Sequence, residues 1–178
     1  YGPQWAEAGS APFRYYKGFT TEGGMIAPMI VSGPMVKGRG EISHAFTTLI
    51  DFAPTVYALA QVKYPSLFND KPVHALKGAS LLPLLTGTNK EVHGDDYVFG
   101  MEHGGYAMIR KGDWKIVNIE RPFNIENFSL YNLKEGLEEQ RDLKHEAPEK
   151  FKELLREWAQ FYQNNKVRIP TPKQGEGL

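Results

Sequence analysis

Apolar positions change their spacing along this chain, and each change marks a different kind of element. From Tyr97 onward, YVFGM, YAMIR and WKIVNI are short runs rich in β-branched and aromatic residues. KGD separates the last two, a hairpin signal, and FSLYNL supplies a fourth strand. In APEKFKELLREWAQFYQNN the period lengthens. Phe151, Leu154, Leu155, Trp158, Phe161 and Tyr162 fall on one face of a helix with Pro148 in its first turn. A small four-stranded antiparallel sheet packed on a C-terminal helix over 147–165 is the expected architecture of residues 97–178. The contacts are assigned to Phe151, Leu155 and Trp158.

The first part of the chain reads differently. Residues 1–16 are rich in Gly, Pro and Ala with scattered aromatics, which suits a surface loop. Met25–Ser32 is nearly continuously apolar between Gly23-Gly24 and Gly33-Pro34, as a strand buried on both faces would be. MVKGRGE is an exposed turn. IDFAPTVYALAQV predicts a helix with Asp51 as its cap, Pro54 near its first turn, and Val56, Leu59 and Ala60 facing inward. Residues 63–96 contain Pro65, Pro72, Pro83 and several Gly, Asn and Asp positions, which forbid long regular elements. One helical turn at SLLPLL is expected within this linker. The chain therefore divides into 1–62, the linker 63–96, and 97–178. One strand and one helix cannot close a doubly wound sheet, so residues 1–62 read as the end of a larger α/β domain.

Composition narrows the function classes. Of 178 residues, 41% are hydrophobic and 24% charged, which is ordinary for a folded domain. Lys and Arg equal Asp and Glu at 21 each, so no global basic field favours nucleic acid. Cysteine is absent, which excludes disulfides and thiolate metal sites. No apolar run reaches the length of a membrane span. The opening YGPQWAEAGSAP carries neither an initiator Met nor the regions of a signal peptide, which suits a mature N-terminus and a piece of a longer protein equally. Periplasmic, secreted and cytoplasmic locations all stay open.

The chemistry concentrates in YYKGFTTEGG, where Lys17 stands between aromatics, five residues before Glu22 and the pair Gly23-Gly24. Together with SHAFTTLIDFAPTVYALAQV, LKGASLLPLLTG, YAMIRKGDWKIV and FSLYNLKEGLEEQRDL, in that order and spacing, it resembles the late part of arylsulfatase-like sulfatases of the alkaline phosphatase superfamily. The resemblance covers roughly residues 1–165 and rests on the combination rather than on any single motif. It implies an α/β fold, α+β in character over these residues.

The resemblance also implies that Lys17 binds the sulfate of a sulfate ester substrate. An ammonium is a compact point charge, suited to neutralising a sulfate oxygen as charge builds on the leaving oxygen. Gly23 and Gly24 would let the backbone turn sharply beneath it. The resemblance places Glu102 and His103 near the pocket rim, touching the organic part of the ester; the other reading is a strand-end pair in a turn. Ile26 departs from the family pattern, which commonly carries a basic residue there. His44 is read as a packing or hydrogen-bonding residue, and His74, His93 and His145 as exposed.

The family's formylglycine nucleophile arises from a Cys/Ser-x-Pro/Ala-x-Arg motif, which this chain does not contain. Its calcium ligands are Asp and Asn residues from earlier strands, so both cofactors are expected upstream and no metal ligand is assigned here. HGDD (93–96) and FNIEN (123–127) are oxygen-rich but read as turns. The leading expectation is a C-terminal fragment of a sulfuric ester hydrolase that needs the remainder of its catalytic domain. The alternatives are a phosphonate or phosphate ester hydrolase of the same superfamily and a non-catalytic structural or interaction module.

Overall fold

Alternation along the strands from Val98 to Asn132 gives them two different apolar faces, and both are used. In the computed structural model, which describes residues 2–38 and 40–170, β3 (Val98–His103), β4 (Tyr106–Lys111), β5 (Trp114–Asn118) and β6 (Ser129–Asn132) form an antiparallel sheet in that order. Ile109 lies opposite Ile116, which lies opposite Leu130. All three are fully buried, with Ala107, Phe128 and Leu143, beneath the helix α5 (Pro148–Asn164). Leu154 and Trp158 bury completely or nearly so, and Phe151, Leu155 and Phe161 pack beside them. Trp158 meets the rings of Phe123, Phe128 and Phe161 at 5.5–5.9 Å. The expected sheet and helix are therefore present, with Leu154 joining the contact residues.

The alternate positions Met108, Val117 and Tyr131 form a second core, against which Met25, Phe99, Met101 and Ile119 pack. This far face of the sheet is covered by residues 14–25. Two tight turns shape the strand ends. Gly104 and Gly105 join β3 to β4 with φ of 58° and 94°, the left-handed pair that a two-residue hairpin requires. The β4–β5 turn uses Gly112 at φ 56°.

Two compact units are distinguished: residues 1–28 with 95–178, and residues 29–94. The second has little regular structure. Its helix α3 (Phe52–Ala60) follows a 3-10 turn at Leu49–Asp51, and a two-residue hairpin pairs β1 (Leu67–Phe68) with β2 (Lys71–Pro72). The single turn expected at SLLPLL is α4 (Leu82–Leu85).

Four expectations are corrected. Residues 3–10 are a helix, α1 (Pro3–Ser10), because Pro at the first turn and Gln, Ala and Glu behind it outweigh the flanking loop formers. Met25–Ser32 is not a strand. Met25 ends a one-turn helix, α2 (Glu22–Met25), and Ile30 is 95% exposed. Pro28 offers no ladder donor, and no strand pairs with this segment among the described residues. Val56, Leu59 and Ala60 are exposed, whereas Thr55 is buried, its hydroxyl donating to Asp51 O and accepting from Leu81 N. His93 is covered rather than exposed, its side chain 4% accessible against Asp51.

Candidate functional site

Lys17 stands exposed at the crest of a turn whose two sides are fixed by different means. On the surface side, Tyr15 and Phe19 flank it and stack at 4.6 Å, and Phe19 stacks in turn on Tyr106 at 4.8 Å. Arg14 lies 5.2 Å from the Tyr15 ring at one end of this column, and Arg121 covers Tyr106 at 3.8 Å at the other. Cations over ring faces are attracted by the ring quadrupole, so the arginines close the stack at both ends. Tyr15 itself is left-handed, with φ 59°.

On the sheet side the turn is buried. Thr20, Thr21 and Glu22 are almost inaccessible. Thr20 Oγ1 donates to Ala107 O (3.2 Å), and Thr21 Oγ1 donates to Arg14 O (2.7 Å). Gly23 N also donates to Arg14 O (3.2 Å). A Cβ on Gly23 would fall 2.3 Å from Tyr15 O, and one on Gly24 would fall 2.2 Å from Phe19 O. The pair is thus required by close backbone approach within the turn, in keeping with the sharp bend expected there. Arg14 Nη1 donates to the Tyr131 hydroxyl (2.8 Å). Burial depresses the Arg14 guanidinium, but the phenols of Tyr131 and Tyr15 outweigh it and raise its pKa overall.

Beneath Glu22 lies a group that the sequence reading did not single out. Lys115 is fully buried, with Nζ 2.5 Å from Glu22 Oε1 and 2.8 Å from Glu139 Oε1. Glu139 Oε2 accepts from Glu22 N at 2.9 Å. Its Oε1 meets Lys115 as a charge contact rather than an aligned hydrogen bond. Desolvation pushes the Glu139 carboxyl up, and Lys115 offsets this only in part. A signal did exist. In WKIVNI, Lys115 alternates onto the same face as Val117, and a lysine at a core position needs a carboxylate. Which carboxylate could not be read, because Glu22 is 93 residues away.

Glu102 and His103 sit at the end of β3. Glu102 Oε1 accepts from Gly105 N (2.7 Å) and so supports the hairpin, while His103 is exposed. His74 and His145 are exposed as expected, and His44 is exposed too rather than the packing residue expected.

In residues 29–94 the polar centre is Asp51. Its side chain does not cap α3 as expected; it closes a reciprocal box with Thr48, the cap of the preceding 3-10 turn (2.7 Å from N, 3.0 Å from Oγ1), and also binds Ala79 N (2.9 Å) and His93 Nε2 (2.9 Å). Burial pushes this carboxyl up, but the bonds from His93, Ala79 and Thr48 together hold it below its ordinary value.

Glu22, Glu139, Glu102 and Asp51 are therefore committed to protein partners. Among the described residues, no group of three or more His, Asp or Glu is placed to hold a metal ion. A calcium ion takes six to eight oxygen ligands, and the residues present do not fit one. No helix among the described residues is long and apolar enough to cross a membrane.

No family model matches the chain. It is 34% identical over 159 residues to an uncharacterized sulfatase of Schizosaccharomyces pombe, covering 89% of this chain and 28% of that protein. It is 34% identical over 82 residues to the arylsulfatase of Klebsiella aerogenes, covering 46% of this chain and 18% of that one. The crystal structure of Ps i-CgsB superposes with a TM-score of 0.68 at 24% identity, over 85% of this chain and 32% of that one, and shares its fold. The chain belongs to the sulfatases. It spans less than a third of the length of each of these relatives.

Proposed function

We propose that the chain is the C-terminal part of an arylsulfatase-like sulfuric ester hydrolase and supplies the lysine that binds the sulfate of a sulfate ester. The observation that carries this reading is the setting of Lys17: exposed, yet on a turn braced by stacked rings outside and by buried bonds inside. A charge that must meet an anion without reorganising is best held this way, since preorganised electrostatics costs nothing at the moment of reaction. The chain's own residues bind and orient. Formylglycine, which would supply the nucleophile, and calcium, which would orient the sulfate, are assigned to the remainder of the catalytic domain. Residues 1–62 complete that domain, 63–96 link, and 97–178 form the terminal subdomain. Exposed His103 and its neighbour Glu102 are proposed to touch the organic part of the ester.

The test is steady-state kinetics on the whole protein with an aryl sulfate. Lys17→Ala is expected to lower kcat/KM by roughly a hundred- to a thousand-fold, the usual cost of losing one preorganised donor to developing charge. Lys17→Arg should rescue only part of this, since a planar fork does not reproduce a point charge. Near-normal kcat/KM in Lys17→Ala would reduce Lys17 to a surface lysine.

A further inference from the structure

The turn that carries Lys17 returns to the protein through Glu22, and Glu22 is held by two groups at once. Lys115 Nζ bonds its carboxylate and Glu139 Oε2 accepts its backbone N–H, so that side chain and main chain are fixed independently. Glu139 also contacts Lys115, which closes the set into a three-membered ring of contacts. All three residues are at most 5% exposed. Glu139 is held with φ at 52°, a left-handed backbone that a non-glycine residue adopts only where its surroundings over-determine it.

Such a set is a poor device for stability alone. Burying two carboxylates around one ammonium removes three charged groups from water, and apolar side chains of similar volume often stabilise as well or better. What an ionic set provides, and Met or Leu would not, is direction: one position and one rotation of Glu22 over strand β5. Apolar contacts tolerate sliding, whereas a bond at 2.5 Å and another at 2.9 Å do not. Lys17 lies five residues before Glu22, and only the short turn 18–21 separates them. A charge displaced by about 1 Å from its anion loses much of its effect on a rate.

We propose that Lys115 and Glu139 are positioning residues for Lys17: they lock Glu22 against β5 and so set where the Lys17 ammonium stands. This rests on the reading of Lys17 as the sulfate-binding residue. Neither residue touches substrate; both act through the turn.

The experiment combines a double-mutant cycle on the whole protein with hydrogen exchange on this chain. Lys115→Met is expected to lower kcat/KM for an aryl sulfate at least about tenfold, through kcat more than KM. The two changes share one route, so Lys17→Ala should cost far less in the Lys115→Met background than in the parent. Losses that simply multiply would overturn the proposal. In this chain, Lys115→Met should speed exchange of the amides of residues 17–24 by about tenfold or more, while those of β4 and β5 keep their protection. Uniform loss across β3–β6 would make Lys115 merely structural and overturn the proposal. Should Lys115→Met fail to fold, Glu139→Ala takes its place in both arms. Alanine removes both the acceptor for Glu22 N and the contact with Lys115, and unchanged exchange at 17–24 together with unchanged kcat/KM would sink the idea. If Lys17→Ala alone proves near-normal in rate, the sulfate reading fails, and the exchange arm still decides whether the clamp holds the turn.

Discussion

Residues 95–170 and residues 29–94 contain comparable runs of apolar side chains, yet one region hides them and the other displays them. In the first, the sheet is covered on both faces, and Ala107, Ile109, Ile116, Phe128, Leu130 and Leu154 are wholly inaccessible. In the second, Ile30, Ile42, Leu49, Val56 and Phe68 are between 60% and 95% exposed. What organises the second region is polar: Asp51 gathers Thr48, Ala79 and His93, and Thr55 carries the link on to Leu81. The difference teaches that hydrophobic content does not make a core by itself. A core needs a second layer to meet, and an element without one is held by whatever directional bonds its sequence provides.

The largest expected effect lies in the covered region. Trp158→Ala removes a ring that is 3% exposed and touches Phe123, Phe128 and Phe161. It should cost about 3–5 kcal/mol in urea unfolding monitored on the sheet. A loss under about 1 kcal/mol would place it among ordinary surface changes and undo the comparison.

A smaller effect separates the two regions by the sign of their response to pH. The Asp51 carboxyl is held below its ordinary value of 3.8, so its contribution is present above that value and lost as pH falls through the depressed one. The Glu139 carboxyl is held above its ordinary value of 4.5, chiefly by desolvation. Its linkage runs the other way: the contribution is fully present below 4.5 and declines as pH rises through the elevated value. Hydrogen exchange corrected for intrinsic rates is the measurement. Acidification should loosen α3 in the parent but have less effect in Asp51→Asn. Raising pH from the acid side should loosen residues 17–24 less in Glu139→Gln than in the parent. The same sign in both regions would contradict the assignment.

The smallest effect is expected on the displayed apolar residues. Val56→Ser and Leu59→Ser should leave the stability of this chain within about 0.5 kcal/mol, because the two residues stay 60% and 47% exposed. A substantial loss from either would mean that the α3 surface is covered after all.

How much of this could be read from sequence follows from the range of the interactions. The strands β3–β6 and helix α5 were legible because their periods are local and their faces are filled. Asp51 was legible as a helix-start residue, but its side chain closes a box with Thr48 rather than capping α3. Gly23-Gly24 stood out by type and spacing, and Lys17 through the resemblance of the motifs around it. The buried partnership of Lys115 did not, because Glu22 and Glu139 reach it from distant parts of the chain. His93 was misread as exposed for a similar reason: its partner Asp51 is 42 residues earlier. The apolar run at Met25–Ser32 misled in the opposite sense. It carries the signature of a buried strand but finds no ladder partner among the described residues.

The column of rings from Arg14 to Arg121 sets a rule for anyone who would remodel this surface. Tyr106 opens β4 directly after the Gly104-Gly105 turn, and its ring meets Phe19 because strand parity puts it on the face that residues 14–25 cover. A single residue inserted between Gly105 and Tyr106 with the β4 pairing shifted along would turn every side chain of that strand to the opposite side. Phe19 would lose its neighbour, and Arg121 would lose the ring it covers. Grafts at this hairpin must therefore preserve parity before they preserve sequence. Loop designs that leave the β4 pairing in place keep the stack, and those that shift it by one residue dismantle it.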